Sequence, residues 1–182
     1  MPEEYNRIEI DQISDFLFTT EKSAEENIKK EKLKGKVCSV GNTMIDTLIR
    51  MQPSFPAHSK SAGAVATIHR PSNVDSSSAL KNILGFLTDV SDVCVVTLPL
   101  HLRTKSAIEK HGFSPLLSKI KIIEPLGYIE FLKLVSESSF VLTDSGGIQE
   151  EAAFLKKRCF TMRRNTERPS TIECGSNVLI DP

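Results

Sequence analysis

Short apolar runs recur along the chain, separated by stretches in which apolar residues return every three or four positions. The runs Phe16–Thr19, Lys36–Val40, Ala64–Ile68, Val93–Leu100, Ile120–Glu124, Phe140–Asp144, Cys159–Met162 and Asn177–Ile180 predict strands. Several are apolar throughout rather than alternating, the pattern of parallel strands covered on both faces. Between them the period changes. Leu80, Ile83, Leu84 and Leu87 fall on one helical stripe, and Ile148, Ala152 and Leu155 on another. Thr43 followed by Asp46 predicts a capping box that opens a helix at Met44. Ile10, Ile13 and Phe16 follow a polar start, Pro2–Arg7, that reads on its own as a solvent-exposed helix N-terminus. Strand–helix–strand units repeated in this way predict an α/β fold with a Rossmann-like, doubly wound parallel sheet.

One stretch breaks the rhythm. Gln52 to Gly63 (QPSFPAHSKSAG) is rich in Pro, Ser and Gly and reads as a linker. It separates a leading piece with two strands from a longer α/β unit. Two strands cannot bury both of their faces, so the leading piece is expected to be the edge of a larger domain.

Composition narrows the ligand classes. The 182 residues carry 23 basic and 23 acidic side chains, so no net charge attracts nucleic acid or an anionic membrane surface, and any anionic ligand must be held locally. No run approaches the roughly 18 apolar residues of a membrane helix, and MPEEYNRIEIDQ has no apolar signal core, which together point to a cytoplasmic protein. Cys38, Cys94, Cys159 and Cys174 show neither CxxC nor zinc spacing, so no metal site is expected. Cys38, Cys94 and Cys159 sit in strand-like runs and are expected to be reduced, small buried hydrophobes.

Candidate chemistry gathers at the strand ends. In Val141–Glu151 (VLTDSGGIQEE) an apolar strand ends at Asp144-Ser145, Gly146 and Gly147 make the turn, and a helix follows. A helix start of this kind presents backbone N–H groups and the positive end of a dipole to an anion, and glycines admit a phosphate close to the backbone. The same spacing also suits a plain glycine turn with acidic residues early in a helix. His69-Arg70 ends the third strand, His101-Leu102-Arg103 follows the fourth, and Arg163, Arg164 and Arg168 follow the seventh. Basic residues collected at strand ends in a chain of zero net charge suggest an anionic ligand, with arginine–phosphate pairing as the expected contact.

The segments PEEYNR (2–7), VGNTMIDTL (40–48), TIHRPSNVD (67–75), IIEPLGYIEFLKLVSESSFVLTDSGGIQEEA (122–152) and NTERPSTIECGSNVLI (165–180), in this order, resemble the non-hydrolysing and hydrolysing UDP-N-acetylglucosamine 2-epimerases. The resemblance implies two Rossmann-like domains with a cleft between them, as in GT-B glycosyltransferases. It implies conversion of UDP-N-acetylglucosamine to UDP-N-acetylmannosamine by elimination and re-addition of UDP, or release of N-acetylmannosamine and UDP. Its ligands would be UDP and UDP-N-acetylhexosamine, with no cofactor and no metal. Carried over by position, Glu3 and His69 would be catalytic, with His69, Ser145, Gly146, Gly147 and Arg168 meeting or supporting the diphosphate. Glu151 would bind the ribose, Pro125, Leu126 and Tyr128 would line the uracil, and His101 would belong to a regulatory site. Two positions depart from the pattern: Pro71-Ser72 stands where many members have glutamate, and Leu102 where many have proline after the histidine.

On this resemblance, residues 1–50 are the C-terminal edge of the first domain and 51–182 the UDP-binding second domain, without its closing helices. The first domain's phosphate-binding loop and other catalytic carboxylates have no counterpart here. A chain expected to bind UDP without turning over alone follows, its missing part supplied by a separate polypeptide or absent altogether. The full-length family implies a homodimer.

Overall fold

A computed structural model describes residues 2–54 and 63–182. The chain forms two compact units, the first ending at Asp46 and the second beginning at Thr47.

In the first unit, α1 (Pro2–Ile13) leads to β1 (Phe16–Thr19), α2 (Lys22–Glu31) and β2 (Lys36–Ser39). The two strands pair in parallel, from Phe16 opposite Lys36 to Thr19 opposite Ser39. Alternation decides their faces: Leu17 and Thr19 are buried, whereas Phe16 and Phe18 are 57% and 68% exposed and stack on each other at 6.4 Å. Arg7 ties α1 to α2 through an ion pair with Glu31 at 2.7 Å, and pairs at the same distance with Glu4 and Asp11 of its own helix. These acids raise the guanidinium pKa above its ordinary value. At Gly35 a side chain would come within 2.5 Å of the Ser14 carbonyl, so the close approach of these segments requires glycine. Helix α3 (Thr43–Met51) crosses the boundary between the units.

The second unit alternates strands and helices: β3 (Ala64–Thr67), α4 (Pro71–Val74), α5 (Ser77–Ser91), β4 (Val96–Pro99), α6 (Leu102–His111), β5 (Lys121–Ile123) and α7 (Tyr128–Glu137). Then follow β6 (Phe140–Thr143), α8 (Gly146–Phe154), β7 (Arg158–Met162), α9 (Pro169–Glu173) and β8 (Asn177–Ile180). All six strands are parallel, in the order β5-β4-β3-β6-β7-β8. The chain works outward from β3 to β5, returns beside β3 with β6, and works outward again. The direction of winding thus reverses between β3 and β6, and the crevice beyond their C-terminal ends is where open α/β sheets take ligands.

Successive residues of the central strands enter different cores. Ala64 and Ala66 of β3 and Leu142 of β6 join the α5 stripe of Leu80, Ile83, Leu84 and Leu87. Val65 and Val141 instead pack with Val135, Ala152 and Cys159 on the opposite face. Helical cover on both faces explains why these strands are apolar at successive positions up to their closing threonines.

Some boundaries differ from the sequence expectation. The run at Val93–Leu100 becomes a strand only at Val96. The carbonyl of Val90, at the end of α5, accepts from the Val93 and Cys94 amides at 3.0 and 3.1 Å, drawing both into a turn. At the start of helix α3, Asn42 Oδ1 accepts from the Met44 amide at 2.9 Å. Of the three cysteines expected to be buried, only Cys159 is fully so, while Cys38 and Cys94 are partly exposed; all four thiols are free. Gln52–Ser54 forms a single 3-10 turn, and residues 55–62 of the expected linker lie outside the described residues. No helix among the described residues is long and apolar enough to cross a membrane.

Candidate functional site

The switch point is fastened by side chains from both strands. The hydroxyls of Thr67 and Thr143, the last residues of β3 and β6, meet at 2.7 Å in the buried interior. Directly beyond them lies Asp144, with 0% exposure. Its carboxylate accepts from the backbone amides of His69 (3.1 Å) and Arg70 (2.9 Å) and from Asn73 Nδ2 (3.2 Å). Asn73 also donates to the Met162 carbonyl at 3.0 Å, linking the end of β7 to the same knot. Pro71 at the first position of α4 fixes the turn after Arg70, since its set φ suits a helix start.

Helix α8 opens on this crevice. Ser145 is its N-cap residue, in extended backbone conformation, and its hydroxyl makes no capping bond. The Ser145 amide donates to Thr143 Oγ1 at 3.0 Å. Gly146 leaves the mouth of the helix open: a side-chain carbon placed there would meet only Glu167 Oε2, at 3.7 Å.

Glu167 is the meeting point of the arginines. Arg163, almost fully buried, grips it with two bonds of 2.8 and 2.7 Å, and Arg70 reaches it from the β3 end at 3.1 Å. The Arg163 hydrogen bonds hold the Glu167 carboxyl at a pKa of about 2, against the opposing effect of burial. Because this value lies below the unfolded one, the stabilisation is present above about pH 4.5 and disappears as pH falls towards 2. Glu167→Gln is expected to cost about 1 kcal/mol at pH 7, since the side chain is half exposed and screened. Denaturant titrations of both proteins should show that gap narrowing below pH 4.

Arg103, Arg164 and Arg168 also have carboxylate partners, which the sequence expectation of arginines awaiting an anion did not include. Arg164 pairs with Asp181 and Arg103 with Asp75, both at the surface. Arg168 Nε lies 2.8 Å from Glu150 Oε2, an ion pair whose angle does not make a hydrogen bond.

The other expected positions divide into groups. Glu151 is buried, and Tyr128, first residue of α7, donates its hydroxyl to Glu151 Oε1 at 2.9 Å. Burial raises the Glu151 pKa, opposed by the Tyr128 bond and assisted by neighbouring Glu150; burial and Glu151 push Tyr128 up to about 12. Pro125 and Leu126 are exposed in the loop before α7. His101 caps α6 by accepting from the Arg103 amide at 3.2 Å, and its ring centroid lies 6.3 Å from that of His69. Thr104 donates to the Ile68 carbonyl, holding the first turn of α6 beside β3. Glu3 is carried on α1 in the first unit, and its side chain lies outside the described ones.

Sequence reasoning passed over Asp144, Asn73 and Gln149 as site residues. Gln149 is a buried hub on α8. Its Oε1 accepts from Thr166 Oγ1 (2.6 Å) and Asn177 Nδ2 (3.0 Å), and its Nε2 donates to the Ser145 carbonyl (3.2 Å). The available cue was polar residues inside an otherwise apolar strand–helix junction, where a buried polar group must find partners. Among the described residues, no group of three or more His, Cys, Asp or Glu side chains could hold a metal ion.

A parallel sheet in this order, with a glycine-opened helix and two histidines at the switch point, defines a Rossmann-like α/β unit with a crevice suited to an anion. Over residues 1–182 the sequence matches the family described as UDP-N-acetylglucosamine 2-epimerase, and the chain belongs to that family. It is 38% identical over 200 residues to the UDP-N-acetylglucosamine 2-epimerase of Methanocaldococcus jannaschii, covering 99% of this chain and 54% of that protein. It is 40% identical over 188 residues to the UDP-2,3-diacetamido-2,3-dideoxy-D-glucuronate 2-epimerase of Pseudomonas aeruginosa, covering 99% and 52%. The crystal structure of the M. jannaschii enzyme in complex with UDP-GlcNAc and UDP matches with a TM-score of 0.87 over 99% of this chain and 54% of that one. The UDP-GlcNAc-bound enzyme from Neisseria meningitidis matches at 0.79 and 30% identity, covering 98% and 53%. The chain spans about half the length of these relatives.

Proposed function

We propose that this chain is the UDP-binding part of a nucleotide-sugar 2-epimerase acting on UDP-N-acetylglucosamine. The observation that carries the reading is the open N-terminus of α8 at the switch point, beside His69 and the Arg70–Arg163 pair. Amides of the first helical turn and the Ser145 hydroxyl would bind the diphosphate, with His69 and Arg168 supporting it. Glu151 would hold the ribose diol, Pro125, Leu126 and Tyr128 would line the uracil, and His101 would serve a regulatory site.

The reaction takes the proton from C2 of the sugar and breaks the C1–O bond, forming a C1–C2 double bond and free UDP. Re-addition restores the C1–O bond, and C2 regains its proton on the opposite face. The diphosphate carries the charge that develops on leaving, so fixed positive groups around it lower the barrier. Proton removal and return on opposite faces need two groups. By resemblance Glu3 would supply one carboxylate and His69 would act on the leaving diphosphate, so the chain alone would bind UDP without turnover.

We read residues 1–50 as the C-terminal edge of a first domain, in keeping with the exposed Phe16 and Phe18 on the two-stranded sheet, and 51–182 as the nucleotide-binding domain. Further polypeptide, in the same or a separate chain, would complete the first. The free thiols accord with a cytoplasmic protein. The 40% identity to the P. aeruginosa protein favours a second substrate reading, a UDP-linked diacetamido uronate.

Calorimetry of the 182-residue chain tests the binding claim. UDP is expected to bind with a Kd of about 0.1–1 mM, and Ser145→Ala to weaken it about fivefold through one lost charge-assisted bond. No heat at millimolar UDP would overturn the reading.

A further inference from the structure

We infer that Asp144 is the positioning residue of His69, holding the imidazole proton on Nδ1 and thereby turning an acceptor nitrogen, Nε2, to the crevice. Its geometric basis is independent of the nucleotide-binding reading.

The carboxylate of Asp144 is fully enclosed, and its hydrogen-bonded partners are N–H donors: the amides of His69 and Arg70 and the side-chain amide of Asn73. It acts as an acceptor in each of these contacts. Its Oδ1 also lies 3.3 Å from His69 Nδ1. The contact is not aligned as a hydrogen bond, but a ring lone pair this close to the carboxylate would repel it, whereas an N–H would not. The proton therefore belongs on Nδ1, and Nε2, without a partner among the described residues, is an acceptor on a ring that is partly exposed.

The neighbouring histidine provides an internal contrast. His101 Nδ1 accepts from the Arg103 amide, which requires a lone pair there and places that ring's proton on Nε2. The two rings, 6.3 Å apart, are thus expected in opposite tautomers. The other charged groups around His69 do not impose the same choice, because Arg70 is directed to Glu167 and Glu167 to Arg163. The fixed backbone of the β6–α8 junction holds the carboxylate in place: Asp144 sits between Thr143, locked to Thr67, and the N-cap of α8.

Nitrogen NMR of the histidine-labelled 182-residue chain above pH 8, assigned with His69→Ala, reads both tautomers directly. The expected result is Nδ1–H for His69 and Nε2–H for His101. In Asp144→Asn, His69 is expected to move to Nε2–H while His101 stays unchanged. A wild-type His69 in the Nε2–H form would overturn the inference without any variant having to fold. Retention of Nδ1–H in a folded Asp144→Asn would overturn it too. Loss of UDP binding in the wild type, with the Nδ1–H tautomer intact, would instead overturn the nucleotide-binding reading and leave the Asp144–His69 coupling standing.

Discussion

Gly146→Ala is expected to leave the fold intact and weaken UDP binding by about tenfold to a hundredfold. The backbone at Gly146 is not in the left-handed region, so alanine meets no conformational penalty. The nearest atom to an added methyl is Glu167 Oε2 at 3.7 Å, an ordinary contact. Alanine even favours a helix over glycine by about 0.5–1 kcal/mol. The methyl does, however, fill the approach that a phosphate would use to reach the first amides of α8, and each tenfold loss corresponds to about 1.4 kcal/mol. Thermal unfolding and UDP calorimetry on the same preparation separate the two effects. An unchanged affinity would place the diphosphate elsewhere.

The largest expected loss of stability away from the hydrophobic core follows from Gln149→Ala. The fully buried amide joins three elements: the N-cap of α8 at Ser145, the loop after β7 at Thr166, and β8 at Asn177. Truncation opens a cavity and removes partners from the Thr166 hydroxyl and the Asn177 amide. Asn177 retains Thr171 Oγ1 at 3.1 Å, and Thr166 Oγ1 still accepts from the Arg168 amide at 3.0 Å, which limits the damage. The net cost is about 2–4 kcal/mol, or a fall in Tm of roughly 6–12 °C. Because Thr166 precedes Glu167 and Arg168, UDP affinity should fall as well. A variant with wild-type Tm would mean that the polar network contributes little.

Much of this architecture is written in hydropathy. Ala64–Ala66 and Phe140–Leu142 are apolar at every position because helices cover both faces, and Leu80, Ile83, Leu84 and Leu87 mark the covering stripe. The glycine pair after Ser145 was legible for a local reason, since strand, turn and helix start lie within a few residues. Asp144 was not. Its partners His69 and Arg70 lie 75 and 74 positions away, and they meet only because β6 returns beside β3. Hydropathy does not determine strand order. The arginines teach the same lesson. Their placement at strand ends was visible, but the pairings of Arg163 with Glu167 and Arg164 with Asp181 depend on how the loops after β7 and β8 close. Val93 misled for a third reason: β-branched character described it correctly, but the end of α5 claimed its amide first.

Amide-resolved NMR of the chain titrated with UDP decides whether the mouth of α8 at the β3–β6 switch point holds the diphosphate. The largest shifts are expected at the amides of Gly146 and Gly147, with smaller ones at His69 and Ser145, and with inorganic diphosphate reproducing the first pair. Saturable shifts confined to other residues, with the Gly146 and Gly147 amides unmoved, would contradict that placement.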